Sequence, residues 1–297
     1  MLAVVLISIG CFSAVIAALA ADADDTSKEK GLVNPFFAMD TIFGAPGRCE
    51  LSAKEQAEMV KELGYAGISY CGGAKGLSEL LSELDKNGLA AYPPYYGVNL
   101  DPGKQKYDPE LKKAIGLLKG REAAIWIFIT SRDYERSSPE GDPRAVEILR
   151  EIADMAGEAG VRIALYPHTG FWLERVEDAV RVTKKVDRQN VGVTFNLCHW
   201  LRVDGTNMKP RLELALPYLF MVTINGADSE GTDWDRLIQT LDRGTFDNYE
   251  FLKMLKELGY TGPIGFQGYG IKGDPYENLK RSMEAWRALC DRIAAAE

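Results

Sequence analysis

Positive charge is in short supply in this chain: 35 Lys and Arg against 43 Asp and Glu leave a net charge of −8 over 297 residues. With no basic field to neutralise phosphates, DNA and RNA are not expected partners. Cysteine is sparse, five in all, and no CxxC or Cys/His cluster has the spacing of a structural zinc site. Histidine is scarcer still, with His168 and His199 the only two. No G-x-G-x-x-G follows the first strand-like run, so the dinucleotide-binding fingerprint is missing. No linker composition marks a second domain.

A long apolar run occurs only at the start. Met1–Ala20 is almost wholly apolar and uncharged, with small residues at Ala18-Leu19-Ala20. That pattern reads as a secretory signal peptide (1–20), followed by a polar, flexible leader (21–33). The expected location is outside the cytoplasm, periplasmic or secreted. The basic n-region of a signal is missing, so an uncleaved membrane anchor stays open as the one route to a membrane; the run is near the lower length limit for spanning. Export permits disulfides. Cys49 and Cys71 fall after the first strand and at the end of the second, where a bridge and free thiols are both open.

From Asn34 onward, strand-like and helix-like runs alternate. The strands are expected at 36–41, 66–71, 89–95, 123–130, 162–168, 192–198, 219–225 and 264–269. Ser52 with Glu55 forms a capping box, and Asp142-Pro143 opens another helix. The near copies ELGYAG (62–67) and ELGYTG (257–262) repeat one helix-to-strand junction. Eight such units imply an α/β fold, a single (β/α)8 TIM barrel over 34–297, with a doubly wound open sheet as the competing arrangement. Alternation along the later strands favours the barrel. Val191, Val193 and Phe195 face one way, Gly192, Thr194 and Asn196 the other. The same split sets Tyr166 and His168 against Ile163 and Leu165, Thr223 and Asn225 against Val222 and Ile224, and Gln267 against Ile264 and Phe266. Polar groups thus gather at one end of the barrel interior.

The runs VRIALYPHTG (161–170), VGVTFNLCHW (191–200) and YTGPIGFQGYG (260–270) resemble the xylose isomerase-like TIM-barrel superfamily, which includes sugar-phosphate isomerases and epimerases. The resemblance implies a divalent ion held by Glu, Asp, His and Glu from strands five to eight. At the matching positions this chain has Tyr166, Asn196, Thr223 (with Asn225 the next inward residue) and Gln267. His168 and His199 are retained. Every ligand has become a neutral polar group, and one unit charge a few ångströms from another is worth about 4 kcal/mol even at an effective dielectric near 20. No metal and no other cofactor are therefore expected; an unusual set of His168, His199 and Asp40 is the remaining way to hold an ion.

What the resemblance implies for function is a carbohydrate-active protein of isomerase or epimerase type, moving a proton next to a carbonyl of a sugar or keto-sugar. In that reading His168 or Asp40 is the base and His199 the opposing acid. Tyr166, Asn196, Thr223, Asn225 and Gln267 bind hydroxyls or the developing enolate, and Trp172 and Trp200 offer faces to the ring. Tyr95 and Tyr96 sit at expected rim positions, the prolines 93 and 94 shape a rim loop, and Trp126 is a core residue. Lys272 is expected to be solvated. The alternative is a barrel that binds sugar without turning it over. Nothing in the sequence fixes an oligomeric state.

Overall fold

The computed structural model describes residues 31–44 and 51–297. The expected signal peptide 1–20, residues 21–30 of the leader and Cys49 lie outside the described residues. Gly31 and Leu32, expected as leader, rest on the barrel: the Gly31 N–H donates to the Glu297 carboxylate at 2.8 Å and Leu32 packs on the core.

Eight strands, β1 (Phe36–Ala38), β2 (Gly67–Tyr70), β3 (Ala90–Asn99), β4 (Ala124–Thr130), β5 (Arg162–Leu165), β6 (Val191–Asn196), β7 (Leu219–Ile224) and β8 (Ile264–Phe266), pair in sequence order. All pairs are parallel, and β8 returns to β1 with Phe37 opposite Gly265, closing the barrel. A Cβ at Gly265 would lie 2.4 Å from the Phe37 ring, so this position accepts only the smallest residue. Around the barrel run helices α1 (Ala53–Leu63), α2 (Ala74–Asn87), α3 (Leu111–Leu118), α4 (Asp142–Glu158), α5 (Val176–Val186), α6 (Leu197–Val203), α7 (Met208–Ala215), α8 (Trp234–Leu237), α9 (Asn248–Glu257) and α10 (Pro275–Ala295).

Side-chain alternation sorts the two sides of the sheet. Ile163, Leu165, Val191, Val193, Phe195, Val222, Ile224, Ile264 and Phe266 are buried beneath the helices. At about 1.5–3 kcal/mol for each fully buried large aliphatic, that outer layer supplies most of the drive for closure. The inner side carries a separate cluster of Phe37, Met39, Trp126, Tyr166 and Met221, with Tyr92, Tyr95 and Phe220 against it. Phe37 stacks on Tyr92 with ring centres 4.0 Å apart, and Trp126 meets Tyr166 edge-on at 5.1 Å. The barrel is thus plugged by aromatic rings below its polar end.

Local signals behave as expected at the helix ends. Ser52 and Glu55 form the capping box of α1, and Gly64, at φ +88°, ends it in the left-handed conformation that glycine adopts without cost. Two boundaries differ from expectation. The prolines at 93 and 94 lie inside β3 rather than in a rim loop, and the β2–β3 register shifts between Ile68 and Tyr70 beside them. Proline lacks the N–H a regular ladder needs, so it occupies this irregularity. Strands β1, β5 and β8 end early: Asp40, Tyr166, His168 and Gln267 lie just past them, although the N–H groups of Tyr166 and Gln267 still reach Ile127 O and Ile224 O at 2.9 Å.

Candidate functional site

At the C-terminal ends of the strands a cavity of ≈ 360 Å³ opens above the aromatic plug. Met39, Tyr95 and Tyr166 connect it to the inner cluster, and Thr41, Cys71, His168, His199 and Gln267 add polar atoms. Trp234, Ile238 and Tyr269 complete it, and Trp234 and Tyr269 are 40% and 49% exposed, the mark of aromatic faces left at an opening. Among the described residues, no lining side chain is Lys, Arg, Asp or Glu.

Three of the substituted positions are wired together. The Asn196 amide donates to the Tyr166 hydroxyl, and Gln267 Nε2 approaches the same oxygen at 3.5 Å. Gln267 is turned this way because its Oε1 accepts from the Thr41 hydroxyl at 2.7 Å and from the Tyr269 N–H at 3.1 Å. With amides supplying its acceptor bonds, the Tyr166 hydroxyl keeps its own hydrogen to donate. Burial raises the Tyr166 pKa well above the ordinary phenol value, so it stays a neutral donor.

Asn196 also makes the turn that brings His199 inward. It is the last residue of β6 and the N-cap of α6, its Oδ1 accepting from the His199 N–H at 3.4 Å. Helix begins at Leu197, where a strand had been expected to run through Cys198. One helical step of about 100° then separates His199, on the cavity side, from Trp200. The rings of His168 and His199 lie 4.0 Å apart between centres, and His168 stacks on Phe171 at the same distance. Burial pulls the His168 pKa below its ordinary value; burial, then the nearby His168, pulls His199 well below. Both imidazoles are neutral near pH 7.

Asp40 sits one step back from the cavity. Its carboxylate accepts from the Cys71 N–H at 2.6 Å and the Ser69 hydroxyl at 3.3 Å, and it is Cys71, not Asp40, that lines the space. Enclosure of the carboxylate raises its pKa to about 6 against the lowering effect of those hydrogen bonds. Of the two candidate bases, His168 and not Asp40 reaches the cavity. Cys71, Cys198 and Cys290 are free thiols, and burial with the adjacent Asp40 pushes the Cys71 thiol up, so it is not a thiolate.

Several expected contacts are corrected by the structure. Trp172 does not face the cavity. The chain after Tyr166 folds back, with Leu173 N–H on Ile129 O, and buries the Trp172 indole against Gly141, its Nε1 donating to Ser138 O at 3.2 Å. Trp200 packs outward between Phe195 and Phe246, with Nε1 on Thr206 O. Thr223 is enclosed in the barrel and does not line this cavity, and its hydroxyl has no partner among the described residues. Asn225 holds a loop rather than a ligand: its amide donates to Gly226 O and Leu237 O, both at 2.7 Å, fixing the segment that carries Trp234 and Ile238 to the cavity. Asn196 acts from behind Tyr166. Tyr96 is buried, whereas Tyr95 does reach the cavity; Lys272 is exposed.

The donor set does not fit a divalent ion. Where the resemblance implies carboxylates and an imidazole, the structure has a phenol, two amides and a hydroxyl, and the first three are committed to one another. Hard or borderline cations need anionic oxygens or imidazoles to offset dehydration. Asp40 does not join the two histidines: among the described residues no three His, Cys, Asp or Glu side chains group as a ligand set.

The residues that sequence reasoning missed are Met39, Thr41, Thr169, Trp234, Ile238 and Tyr269. Tyr269 is two positions past Gln267 and Trp234 lies in the long loop after β7, so both were adjacent to recognised signals. Thr169 stands between the two histidines and touches both.

Comparison with known proteins agrees with this architecture. The model of the xylose isomerase-like TIM barrel family matches residues 57–289. The inosose isomerase of Bacillus velezensis is 26% identical over 162 residues, covering 52% of this chain and 57% of that protein. The chain spans about half the length of the curated relatives it matches. Among solved structures, the 3-keto-D-glucoside 4-epimerase of E. coli superposes with a TM-score of 0.67 at 17% identity, covering 86% of this chain and all of the other. The IolI protein, solved with a zinc atom, gives 0.64 at 17% identity over 88% of this chain and 98% of its own. On the closed eight-stranded barrel and the family match to most of its length, the chain belongs to the xylose isomerase-like TIM barrel family.

Proposed function

We propose that the cavity binds a small, uncharged keto-sugar and moves a proton at the carbon next to its carbonyl, without a resident divalent ion. The observation that carries this reading is the pair of neutral imidazoles lining a cavity with no charged side chain among the described residues. Its volume is in the range of about 300–1,000 Å³ usual for small-molecule sites. Relatives that act on sugars, an inosose isomerase and a 3-keto-D-glucoside 4-epimerase, support the substrate class.

In the proposed reaction His168 takes the proton from carbon and becomes an imidazolium. His199 and the Tyr166 hydroxyl hold the enolate oxygen by hydrogen bonds without releasing their protons. His168 returns its proton to the opposite face of the planar enolate carbon as the sugar turns in the cavity, which inverts that carbon. Neutral donors held in place and aimed at developing charge are worth more in a partly enclosed site than in water. Trp234 and Tyr269 give the sugar ring apolar faces at the opening. The proposal includes export, which rests on the uncharged apolar run Met1–Ala20.

Chelator-treated protein offered a panel of ketoses and keto-glycosides tests the reading, with product followed by chromatography. Turnover that disappears in the His168→Gln/His199→Gln pair supports it. Saturable binding with no turnover across the panel would instead make this a sugar-binding barrel.

A further inference from the structure

We propose that Thr169 locks the two imidazoles into opposite tautomers, so that His168 offers the cavity a bare nitrogen that can accept a proton and His199 offers it a hydrogen-bond donor. Thr169 reaches both rings, and its backbone groups have fixed hydrogen-bonding roles. Its carbonyl oxygen lies 2.8 Å from His168 Nδ1. A carbonyl only accepts, so Nδ1 of His168 carries the proton and Nε2 is the bare nitrogen. Its peptide N–H points at His199 Nδ1 over 3.3 Å. A peptide N–H only donates, so Nδ1 of His199 is bare and Nε2 carries the proton.

The Thr169 hydroxyl agrees with this assignment. It lies 3.2 Å from His199 Nδ1 and 3.4 Å from the His199 carbonyl oxygen; donating to Nδ1 it gives the bare nitrogen a second donor, and donating to the carbonyl it leaves the peptide N–H to fix the tautomer. Reversing either tautomer would set a donor against a donor or a lone pair against a carbonyl. Both rings line the same cavity, and neither Nε2 has a hydrogen-bond partner among the described residues. A ligand therefore meets one bare nitrogen and one N–H. These are the two groups that a C–H beside a carbonyl and the carbonyl oxygen require. Thr169 is a positioning residue, acting through the rings rather than on the ligand.

The roles of acceptor and donor rest on the proposed proton transfer, but the tautomers belong to the free protein and are read without substrate. Because the chain has only two histidines, two-bond 1H–15N correlation of uniformly 15N-labelled protein at pH 8 resolves both rings. His168→Gln and His199→Gln assign the signals. The expected spectrum has Nδ1 protonated and Nε2 bare in His168, and the reverse in His199. Thr169→Val keeps both backbone groups, so both tautomers persist while the His199 Nδ1 signal moves; Thr169→Ser restores it. The same tautomer in both rings, or rapid averaging in either, would overturn the proposal. Opposite tautomers in a protein that turns over no sugar would uphold this arrangement and defeat the proton-transfer reading.

Discussion

The His168 and His199 rings stand 4.0 Å apart between centres, tilted by 44°, so a charge on one opposes a charge on the other. Burial already disfavours charge on each, and His199 carries the larger depression. NMR titration is expected to show both protonating below about 6.5, the ordinary imidazole value, with His199 the lower. His168→Gln should raise the His199 value. The sign for stability follows: the unfolded chain takes up protons first, so stability is lost as pH falls below about 6.5. Urea denaturation at pH 5 and 8 should show a smaller acid loss in the His168→Gln/His199→Gln variant than in the wild type.

Asp40 works in the opposite sense. Its folded pKa of about 6 lies above the ordinary carboxylate value, because enclosure outweighs the bonds from Cys71 and Ser69. Between those values the folded state holds the extra proton, so this group's contribution declines as pH rises through the window. Asp40→Asn, which retains an acceptor for the Cys71 N–H, should gain stability relative to wild type between pH 4 and pH 7, by no more than about 3 kcal/mol. Thermal melts across that range give the comparison, and a difference that shrinks with rising pH would contradict the assignment.

The tryptophans separate by role. Trp234 is 40% exposed at the opening, whereas Trp172 is fully buried. Trp234→Ala and Tyr269→Ala are each expected to weaken sugar binding by about 1–2 kcal/mol, roughly 5- to 30-fold, with little change in folding stability. Trp172→Ala should cost about 3–5 kcal/mol of stability through the cavity it leaves. Calorimetric binding paired with denaturation tells these effects apart.

No described side chain lining the cavity is positively charged, so a phosphate ester has nothing to pair with there. A ketose phosphate is expected to bind at least about tenfold more weakly than the parent ketose. Competition calorimetry at fixed ionic strength checks the order, and tighter binding of the phosphate would reverse it.

Much of this was legible in the residues. Alternation in VGVTFN placed Asn196 inward, and the same logic found Tyr166 and Gln267, because a barrel strand must turn its aliphatics to the helices. Side-chain direction beyond the strand ends was not legible. Trp172 and Trp200 follow strand tips in sequence, yet a folded-back loop and a helical step turn them away. Trp234 reaches the opening through a loop anchored by Asn225, a contact between residues without periodic spacing. The mutual bonding of Tyr166, Asn196 and Gln267 depends on three strands meeting at one height, which no single strand encodes.

Exchange of the substrate proton with solvent separates a proton-transferring site from one that only binds. Chelator-treated protein is incubated with a bound ketose in D2O, and the C–H beside the carbonyl is followed by 1H NMR. Expected are loss of that signal with wild-type protein, no dependence on added divalent ion, and retention of the signal with His168→Gln. A bound ketose that keeps its proton, or one that exchanges only after a divalent ion is restored, would contradict metal-free proton transfer.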